Sequence, residues 1–250
     1  MMQQQYDNYT AESFEVWKLL FTRQMENLKT MADPAFLTGL ERIHFTEDRI
    51  PEFNALNVAL ANITGWQVEA VPGIVPDDYF FKLLSEKKFP CSTWLRNMAQ
   101  LDYLEEPDMF HDVFGHVPLL TDPDYCGFLH GLSQIARKHI NDPYAIDLLS
   151  RIYWYTIEFG LIDFGSGPHI YGAGIISSKG ETPYSLSNAV PKRPFSVEAV
   201  MRTTYIKEKF QELYYVINDY AQLYGSLPAI EAELEKMLTD KAAETVANTK

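Results

Sequence analysis

Two histidines and one glutamate are the residues of this sequence whose types and spacing best support chemistry. His111 and His116 enclose the segment His-Asp-Val-Phe-Gly-His, and Glu158 follows in a separate segment, Ile-Glu-Phe-Gly-Leu. Two imidazoles and one carboxylate form the facial triad that holds mononuclear non-haem Fe(II) and leaves positions open for water, oxygen or a substrate. The pattern therefore predicts an iron centre that activates oxygen.

The spacing of the two histidines conflicts with a straight α-helix. Five residues of an ideal helix rotate by about 500°, which leaves the two side chains about 140° apart. Gly115 permits an irregular backbone, and Pro118 cannot continue a hydrogen-bonded turn. We therefore predict that the helix ends or distorts near His116, that its ring turns towards His111, and that Glu158 comes from a neighbouring helix.

The residues alone leave less specific interpretations open. A single histidine on an apolar face is more often a satisfied core residue than a metal ligand. A carboxylate between Ile157 and Phe159 is costly to bury unless a cation or metal holds it, which favours a metal site. A zinc protease would carry His-Glu-x-x-His, and structural zinc would require paired cysteines, so neither pattern fits. The remaining histidines are interpreted as surface or core residues: His44, His130, His139 and His169.

Composition restricts the class of protein. The chain has 250 residues, of which 46% are hydrophobic, and its formal net charge is −13. This acidity repels phosphate backbones and anionic bilayers, so we expect neither a nucleic acid nor a membrane as a partner. No apolar stretch approaches the roughly 20 residues that cross a bilayer, and the N-terminus has no secretory signal. Two cysteines are too few for a disulfide framework, so a cytoplasmic protein is expected.

Apolar periodicity predicts a mainly α fold with minor β (α+β). Helices are predicted over 12–31 (ended by Pro34), 51–62, 77–84, 123–140, 144–161 and 227–243, and strands over 67–72 and 210–216. Glycines between 165 and 180 indicate turns around one or two further short strands. The chain has no flexible linker and no internal repeat, so we expect one catalytic domain over 1–250 that ends in an amphipathic helix over 227–250.

Three segments make the chain resemble the aromatic amino acid hydroxylases, which are pterin-dependent iron monooxygenases. These segments run over 106–120, 152–161 and 171–178, in the order that the family has. The likeness covers about residues 35–225 and is strongest with the short bacterial enzymes that act on phenylalanine. It implies Fe(II) and a tetrahydropterin, such as tetrahydrobiopterin, as cofactors, and the conversion of L-phenylalanine to L-tyrosine with O2. No tetramerisation coil is evident, so a monomer is expected.

The same resemblance implies a substrate site beside the iron ligands His111, His116 and Glu158. Arg96 is expected to bind the substrate carboxylate through two parallel hydrogen bonds, and Asp108 to orient Arg96. The substrate ring and head group are expected to meet these residues: Pro107, His111, Trp154, Phe159, Gly174 and Ser177. Trp154 and Val216 favour phenylalanine as the substrate. Tryptophan and tyrosine remain alternatives, and a non-catalytic helical module that binds a metal or a partner is a remote one.

The resemblance also implies a pterin site. Its expected members are the loop residues Gly73, Ile74 and Val75, the stacking residue Phe80, and Asp112, which is expected to act through water. Tyr153 is expected near the iron. Leu104 and Ser150 depart from the animal enzymes, in which a threonine meets the substrate carboxylate and an alanine touches the pterin.

Overall fold

Helices account for most of the chain, and the strands are short. The computed structural model describes residues 2–102, 104, 106–207 and 209–247. The α-helices are α1 (Ala11–Met31), α2 (Pro34–Arg42), α3 (Phe53–Ile63), α4 (Asp77–Ser85), α5 (Pro123–Lys138), α6 (Pro143–Tyr153), α7 (Ala173–Ile176), α8 (Glu181–Leu186), α9 (Val197–Arg202), α10 (Tyr220–Gly225) and α11 (Leu227–Ala247). The other helical segments of the described residues are a first π-helix (Phe110–His116), a second π-helix (Trp154–Glu158) and 3-10 helices at Tyr6–Asn8, Met98–Gln100 and Val117–Thr121. The predicted mainly α fold is confirmed.

Three of the helices begin at an Asp-Pro pair. Proline suits the first turn, since the N–H group that it lacks would have no helical partner there, and the preceding aspartate accepts hydrogen bonds from free N–H groups of that turn. Asp122 accepts from the backbone N–H groups of Asp124 and Tyr125 at the start of α5. The same arrangement starts α2 and α6, at the pairs Asp33-Pro34 and Asp142-Pro143.

The strands form two small sheets in the described part of the chain. They are β1 (Gln67–Val71), β2 (Lys88–Ser92), β3 (Leu161–Ile162), β4 (His169–Ile170), β5 (Lys192–Pro194) and β6 (Tyr214–Ile217). β1 and β2 pair in parallel, from Gln67 opposite Lys88 to Val71 opposite Ser92. The second sheet has the order β4-β3-β6-β5, in which β4 is antiparallel to β3 and the other pairs are parallel. β1 and β2 therefore end side by side, just before the loop of 72–76 and the segment that carries Arg96.

Three predicted element boundaries were wrong. The helix predicted over 144–161 runs as α6 only to Tyr153 and then becomes the second π-helix. The strand predicted over 210–216 begins only at Tyr214, because the backbone N–H of Gln211 donates to the carboxylate of Glu181 instead of to a strand. Pro34 does not end a helix; α1 ends at Met31, and Pro34 is the first residue of α2.

An aromatic cluster fixes the first π-helix against α1 and α2. Phe110 and Phe114 stack on each other with ring centroids 4.6 Å apart. Trp17 of α1 meets Phe110 at 5.5 Å, and Phe36 of α2 meets Phe114 at 5.7 Å, both edge to face. These four rings have almost no exposed surface. Because this face of the π-helix is held in the core, its other face, which carries the histidines, turns towards the cavities.

The helix predicted over 227–250 is α11, which ends at Ala247; residues 248–250 lie outside the described residues. Ile230, Leu234 and Met237 of this helix are buried. None of the helices that the structure describes combines the length and the apolar character that crossing a bilayer requires.

Candidate active site

The first π-helix brings the two histidines onto one face. A π-helix forms i→i+5 hydrogen bonds, so a residue lies above the residue five positions earlier. His111 and His116 have this spacing, and their Nε2 atoms are 3.3 Å apart. After His116 the backbone changes to the 3-10 helix that contains Pro118. The predicted distortion near His116 is therefore confirmed, and its form is an expanded helical turn.

Glu158 ends the second π-helix and completes the cluster. Its Oε1 atom lies 3.1 Å from the Nε2 atom of His116, and its Oε2 atom lies 3.6 Å from that of His111. Only 2% of the His116 side chain and 12% of the Glu158 side chain are exposed. The predicted convergence of these three residues is confirmed.

The environment favours the protonation states that bind a metal. Burial lowers the pKa of His111, which keeps its imidazole neutral at pH 7. Burial by itself raises the pKa of Glu158, but the electrostatic interaction with His116, the hydrogen bond to His116 and the electrostatic interaction with His111 outweigh burial and lower that pKa to about 2. Tyr153 also lowers the pKa of Glu158 through a side-chain hydrogen bond. At neutral pH the site therefore offers neutral imidazole together with an ionised carboxylate.

Neighbouring side chains orient the two imidazoles. The Nδ1 atom of His111 is 2.9 Å from the Oγ atom of Ser177, at the end of α7. A hydrogen bond from this nitrogen to Ser177 leaves the Nε2 lone pair free for a metal. The ring of His116 packs against Phe89 of β2, with centroids 4.6 Å apart. Gly115 allows the close approach of α7, since a Cβ atom there would lie 3.1 Å from Ala173.

The donor set fits a divalent metal ion such as Fe(II). Ligand atoms about 2.1 Å from a metal and at right angles to each other are about 3 Å apart. The three observed separations, 3.1, 3.3 and 3.6 Å, are close to this value. Among the described residues, the ion-pair contacts of Glu158 are with His111 and His116. A bound cation would balance the charge of this carboxylate.

A first cavity of about 220 Å³ opens on one side of the three ligands. All five residues predicted for the pterin line it: Gly73, Ile74, Val75, Phe80 and Asp112. Tyr153 and Ser150 line it as well. Phe80 is held edge to face by Phe81 and Tyr153, at 5.4 and 5.3 Å. Asp112 accepts a hydrogen bond of 2.7 Å from the backbone N–H of Ser92 through Oδ2.

A second cavity, of about 780 Å³, adjoins the first. It is lined by seven of the eight residues predicted for the substrate: Arg96, Pro107, His111, Trp154, Phe159, Gly174 and Ser177. The eighth, Asp108, is fully buried behind Arg96. Its Oδ2 atom accepts from Nε of Arg96 and its Oδ1 atom from a terminal nitrogen of Arg96, both at 2.9 Å. Five residues line both cavities, and two of them, His111 and Glu158, are predicted metal ligands; the other three are Ile74, Pro107 and Trp154.

Sequence reasoning missed several side chains of the site and also used one residue that lies outside it. Tyr205 stacks on Trp154 with centroids 4.4 Å apart, and the Oε1 atom of Gln211 accepts from the Trp154 indole at 3.0 Å. Both lie in a segment without regular structure, so no periodicity could have indicated them. Val216, which was used to infer the substrate, lines a separate groove together with Asp163. It is not among the described residues that line the second cavity.

Comparison with known proteins agrees with this geometry. Residues 4–245 match the family model of the biopterin-dependent aromatic amino acid hydroxylases. The phenylalanine-4-hydroxylase of Chromobacterium violaceum is 45% identical over 240 residues, which are 95% of this chain and 80% of that protein. The phenylalanine-4-hydroxylase of Vibrio cholerae is 44% identical over 87% of this chain and 75% of its own length.

Two solved structures of the Chromobacterium violaceum phenylalanine hydroxylase share the fold, each with a TM-score of 0.89 over 96% of this chain. One is 45% identical, covers 86% of that chain and contains Fe(III) and 7,8-dihydrobiopterin. The other is 42% identical, covers 87% of that chain and contains iron and phenylalanine. The triad, the two cavities and these relatives together place the chain in the biopterin-dependent aromatic amino acid hydroxylase family.

Proposed function

We propose that this protein is a phenylalanine 4-monooxygenase, which converts L-phenylalanine to L-tyrosine with O2 and uses Fe(II) and a tetrahydropterin. One observation carries the proposal above the others: two cavities share His111 and Glu158, which belong to a cluster of two histidines and one glutamate. A site of this form lets an amino acid and a pterin approach one metal ion from different sides. When bound, Fe(II) and the tetrahydropterin would activate O2, and one oxygen atom of O2 would enter the ring.

In this proposal Arg96 binds the carboxylate of the substrate. Asp108 occupies Nε and one terminal nitrogen of the guanidinium, while the other terminal nitrogen has only a weak 3.4 Å contact with the carbonyl oxygen of Leu101. Hydrogen atoms on the terminal nitrogens therefore remain for a carboxylate in the second cavity. Because Asp108 fixes the plane of the guanidinium, little side-chain freedom is lost when the substrate binds.

Apolar side chains then direct the substrate ring towards the metal ligands. Trp154 and Phe159 pack together with centroids 4.8 Å apart, and Pro107 lines the same cavity. Gly174 lets Phe159 occupy its position, since a Cβ atom at this glycine would lie 2.6 Å from Cζ of Phe159. The ring of phenylalanine fills this space without leaving a polar group unpaired. The bound ring also excludes water from the site, which protects the reacting atoms from side reactions.

On the other side, the first cavity holds the pterin. Phe80 is fixed by edge contacts, which leave a face of its ring for stacking on a planar heterocycle. Gly73 has a φ of 156°, and the loop of Gly73, Ile74 and Val75 offers backbone groups to the pterin edge. Asp112 keeps its Oδ1 atom available for water, because Oδ2 accepts from Ser92.

The function is tested by incubating the Fe(II)-loaded protein with tetrahydrobiopterin, O2 and L-phenylalanine, and by measuring L-tyrosine. Parallel reactions with L-tyrosine and L-tryptophan separate the three possible substrates. Glu158→Ala should abolish turnover while the circular dichroism spectrum stays unchanged, since one ligand is lost and the core remains. Absence of product with all three amino acids would refute the proposal and would restore the non-catalytic alternative.

We also propose that the protein is a monomeric, single-domain cytoplasmic enzyme. One contiguous hydrophobic core extends from Val16 to Met237, which supports a single domain. α11 uses Ile230, Leu234 and Met237 to pack within its own chain against α5, α6 and α9, so these residues do not offer an apolar stripe to a second copy. Light scattering at increasing concentration, a single unfolding transition and cell fractionation test the three statements.

A further inference from the structure

A buried carboxylate outside the metal site has no cationic partner. Glu181, at the start of α8, is only 5% exposed. Its Oε1 atom accepts a hydrogen bond of 2.5 Å from the hydroxyl group of Tyr214 and one of 3.1 Å from the backbone N–H of Gln211. Among the described residues, no lysine, arginine or histidine forms an ion pair with it. Burying a carboxylate without a counter-ion is energetically costly. Its two hydrogen bonds therefore indicate a structural role at this position.

One of those hydrogen bonds comes from the backbone of Gln211, and the side chain of this residue bonds to Trp154. This residue is 2% exposed, and both ends of its carboxamide are paired. Nε2 donates to the carbonyl oxygen of Ile206 at 2.8 Å, and Oε1 accepts from the indole N–H of Trp154 at 3.0 Å. The donor to Ile206 fixes which end of the amide faces the indole. Glu181, Gln211 and Trp154 therefore form a continuous series of directed hydrogen bonds.

The last member of this series forms a wall of both cavities. Trp154 contacts Phe159 on one side and stacks on Tyr205, which lines the first cavity, with rings inclined by 19°. Phe210, directly before Gln211, lines the second cavity, and Gly180, directly before Glu181, gives it room. The pair of Glu181 and Gln211 thus joins α8 to the segment that packs behind the substrate.

We propose that Glu181 and Gln211 are positioning residues, which fix the plane of the Trp154 indole and so set the shape of the cavity that receives the substrate ring. Neither residue needs to touch the substrate, since both act through Trp154. A carboxylate serves here better than an apolar group, because it is the stronger acceptor and accepts two hydrogen bonds at once. The inference rests on the proposed function, because it concerns how the same site positions the aromatic ring of the substrate.

The test compares Gln211→Leu, Glu181→Leu and the conservative Glu181→Gln in the Fe(II)-loaded enzyme. Glutamine keeps an acceptor for Gln211 and Tyr214, whereas leucine removes it. For the two leucine variants we expect KM for L-phenylalanine to rise about five- to tenfold, as for a lost buried hydrogen bond. We also expect less tyrosine per tetrahydropterin oxidised, because a substrate ring that is not held in position is hydroxylated less often. Glu181→Gln should restore both quantities towards the wild-type values.

A control variant and a hydrogen–deuterium exchange measurement complete the test. Gln222 of α10 lies away from the site, and its side chain accepts a hydrogen bond from the backbone N–H of Asn218. The control Gln222→Leu removes this acceptor and should leave the ratio of tyrosine to oxidised pterin unchanged. Hydrogen–deuterium exchange of the peptide that contains Gln211 should be faster in Glu181→Leu and normal in Glu181→Gln. Unchanged KM and coupling in Gln211→Leu would overturn the inference. If the wild type made no tyrosine, the proposed function would fail instead, and unchanged exchange in Glu181→Leu would still reject the hydrogen-bond series.

Discussion

Replacing Arg96 with lysine tests the proposed substrate site without changing its formal charge. The guanidinium forms two hydrogen bonds of 2.9 Å with Asp108 and keeps further hydrogen atoms that can meet a carboxylate in the second cavity. Lysine has one ammonium group, which cannot pair with Asp108 and also reproduce a planar, two-point contact with the substrate. Asp108 is fully buried, so the ammonium group should pair with it and leave the substrate carboxylate with a poorer partner.

The expected size of the effect follows from the number of lost contacts. A hydrogen bond to a charged group contributes about 1.5 to 3 kcal/mol, and the loss of one such bond corresponds to about a 10- to 100-fold weaker affinity. This contact is far from the reacting carbon and equal in the ground state and the transition state. We therefore expect KM for L-phenylalanine to rise by about that factor while kcat changes little.

The assay compares L-phenylalanine with 2-phenylethylamine, the analogue that lacks the carboxylate. Arg96→Lys should weaken binding of the amino acid strongly and binding of the analogue hardly at all. Arg151→Lys is the matched control, because Arg151 also pairs with an aspartate, Asp147, at 2.6 Å but outside the two cavities as described. An equal loss for both ligands in Arg96→Lys, or a change in KM below about threefold, would refute the proposed carboxylate site.

Three further predictions follow from the site and its support. Ser177→Ala removes the partner of the His111 imidazole and should weaken Fe(II) binding about 10- to 100-fold in a chelator competition, whereas unchanged affinity would contradict the orienting role. Burial lowers the pKa of His111, so its neutral form is stable at pH 7, and Fe(II) affinity should fall only at a pH below about 6.5; an affinity that already falls between about pH 8 and about pH 7 would contradict this. Gly39→Ala would place a Cβ atom 2.2 Å from the carbonyl oxygen of Pro118 and should lower the free energy of unfolding by about 3 kcal/mol, while Gly225→Ala, with open space around it, should change it by less than about 0.5 kcal/mol in denaturant titrations.

Much of the site could be predicted from the sequence because its signals are local. The pair of histidines with a glycine between them indicated both the metal and a distorted helix, and the helices predicted to begin at 123 and 144 begin at Pro123 and Pro143. These features depend on residue chemistry within a few positions. The same holds for Glu158, since an acidic residue between two large apolar residues needs a partner wherever the helix lies.

The missed parts of the structure depend on contacts between distant segments. β2 contains Pro90, which argues against a strand, yet it pairs in parallel with β1. Aromatic and β-branched residues between 210 and 216 predicted a strand, but the backbone N–H of Gln211 donates to the buried carboxylate of Glu181, and the strand begins only at Tyr214. No window of sequence around Gln211 contains Glu181, so its role could be recognised only after folding brought the two together.

The two π-helices explain why ordinary helix periodicity could not place the ligands. In the first one, Phe110 and Phe114 are four residues apart and share the buried face, while His111 and His116 are five residues apart and share the face towards the cavities. An α-helix satisfies the first spacing and not the second, so the expanded turn reconciles core packing with metal ligation. An expanded turn is rare in isolation, and the stacking of Phe110 on Phe114 inside the aromatic cluster offsets its cost. The geometry of the metal site therefore depends on aromatic residues on the opposite face of the same helix, which never contact the metal.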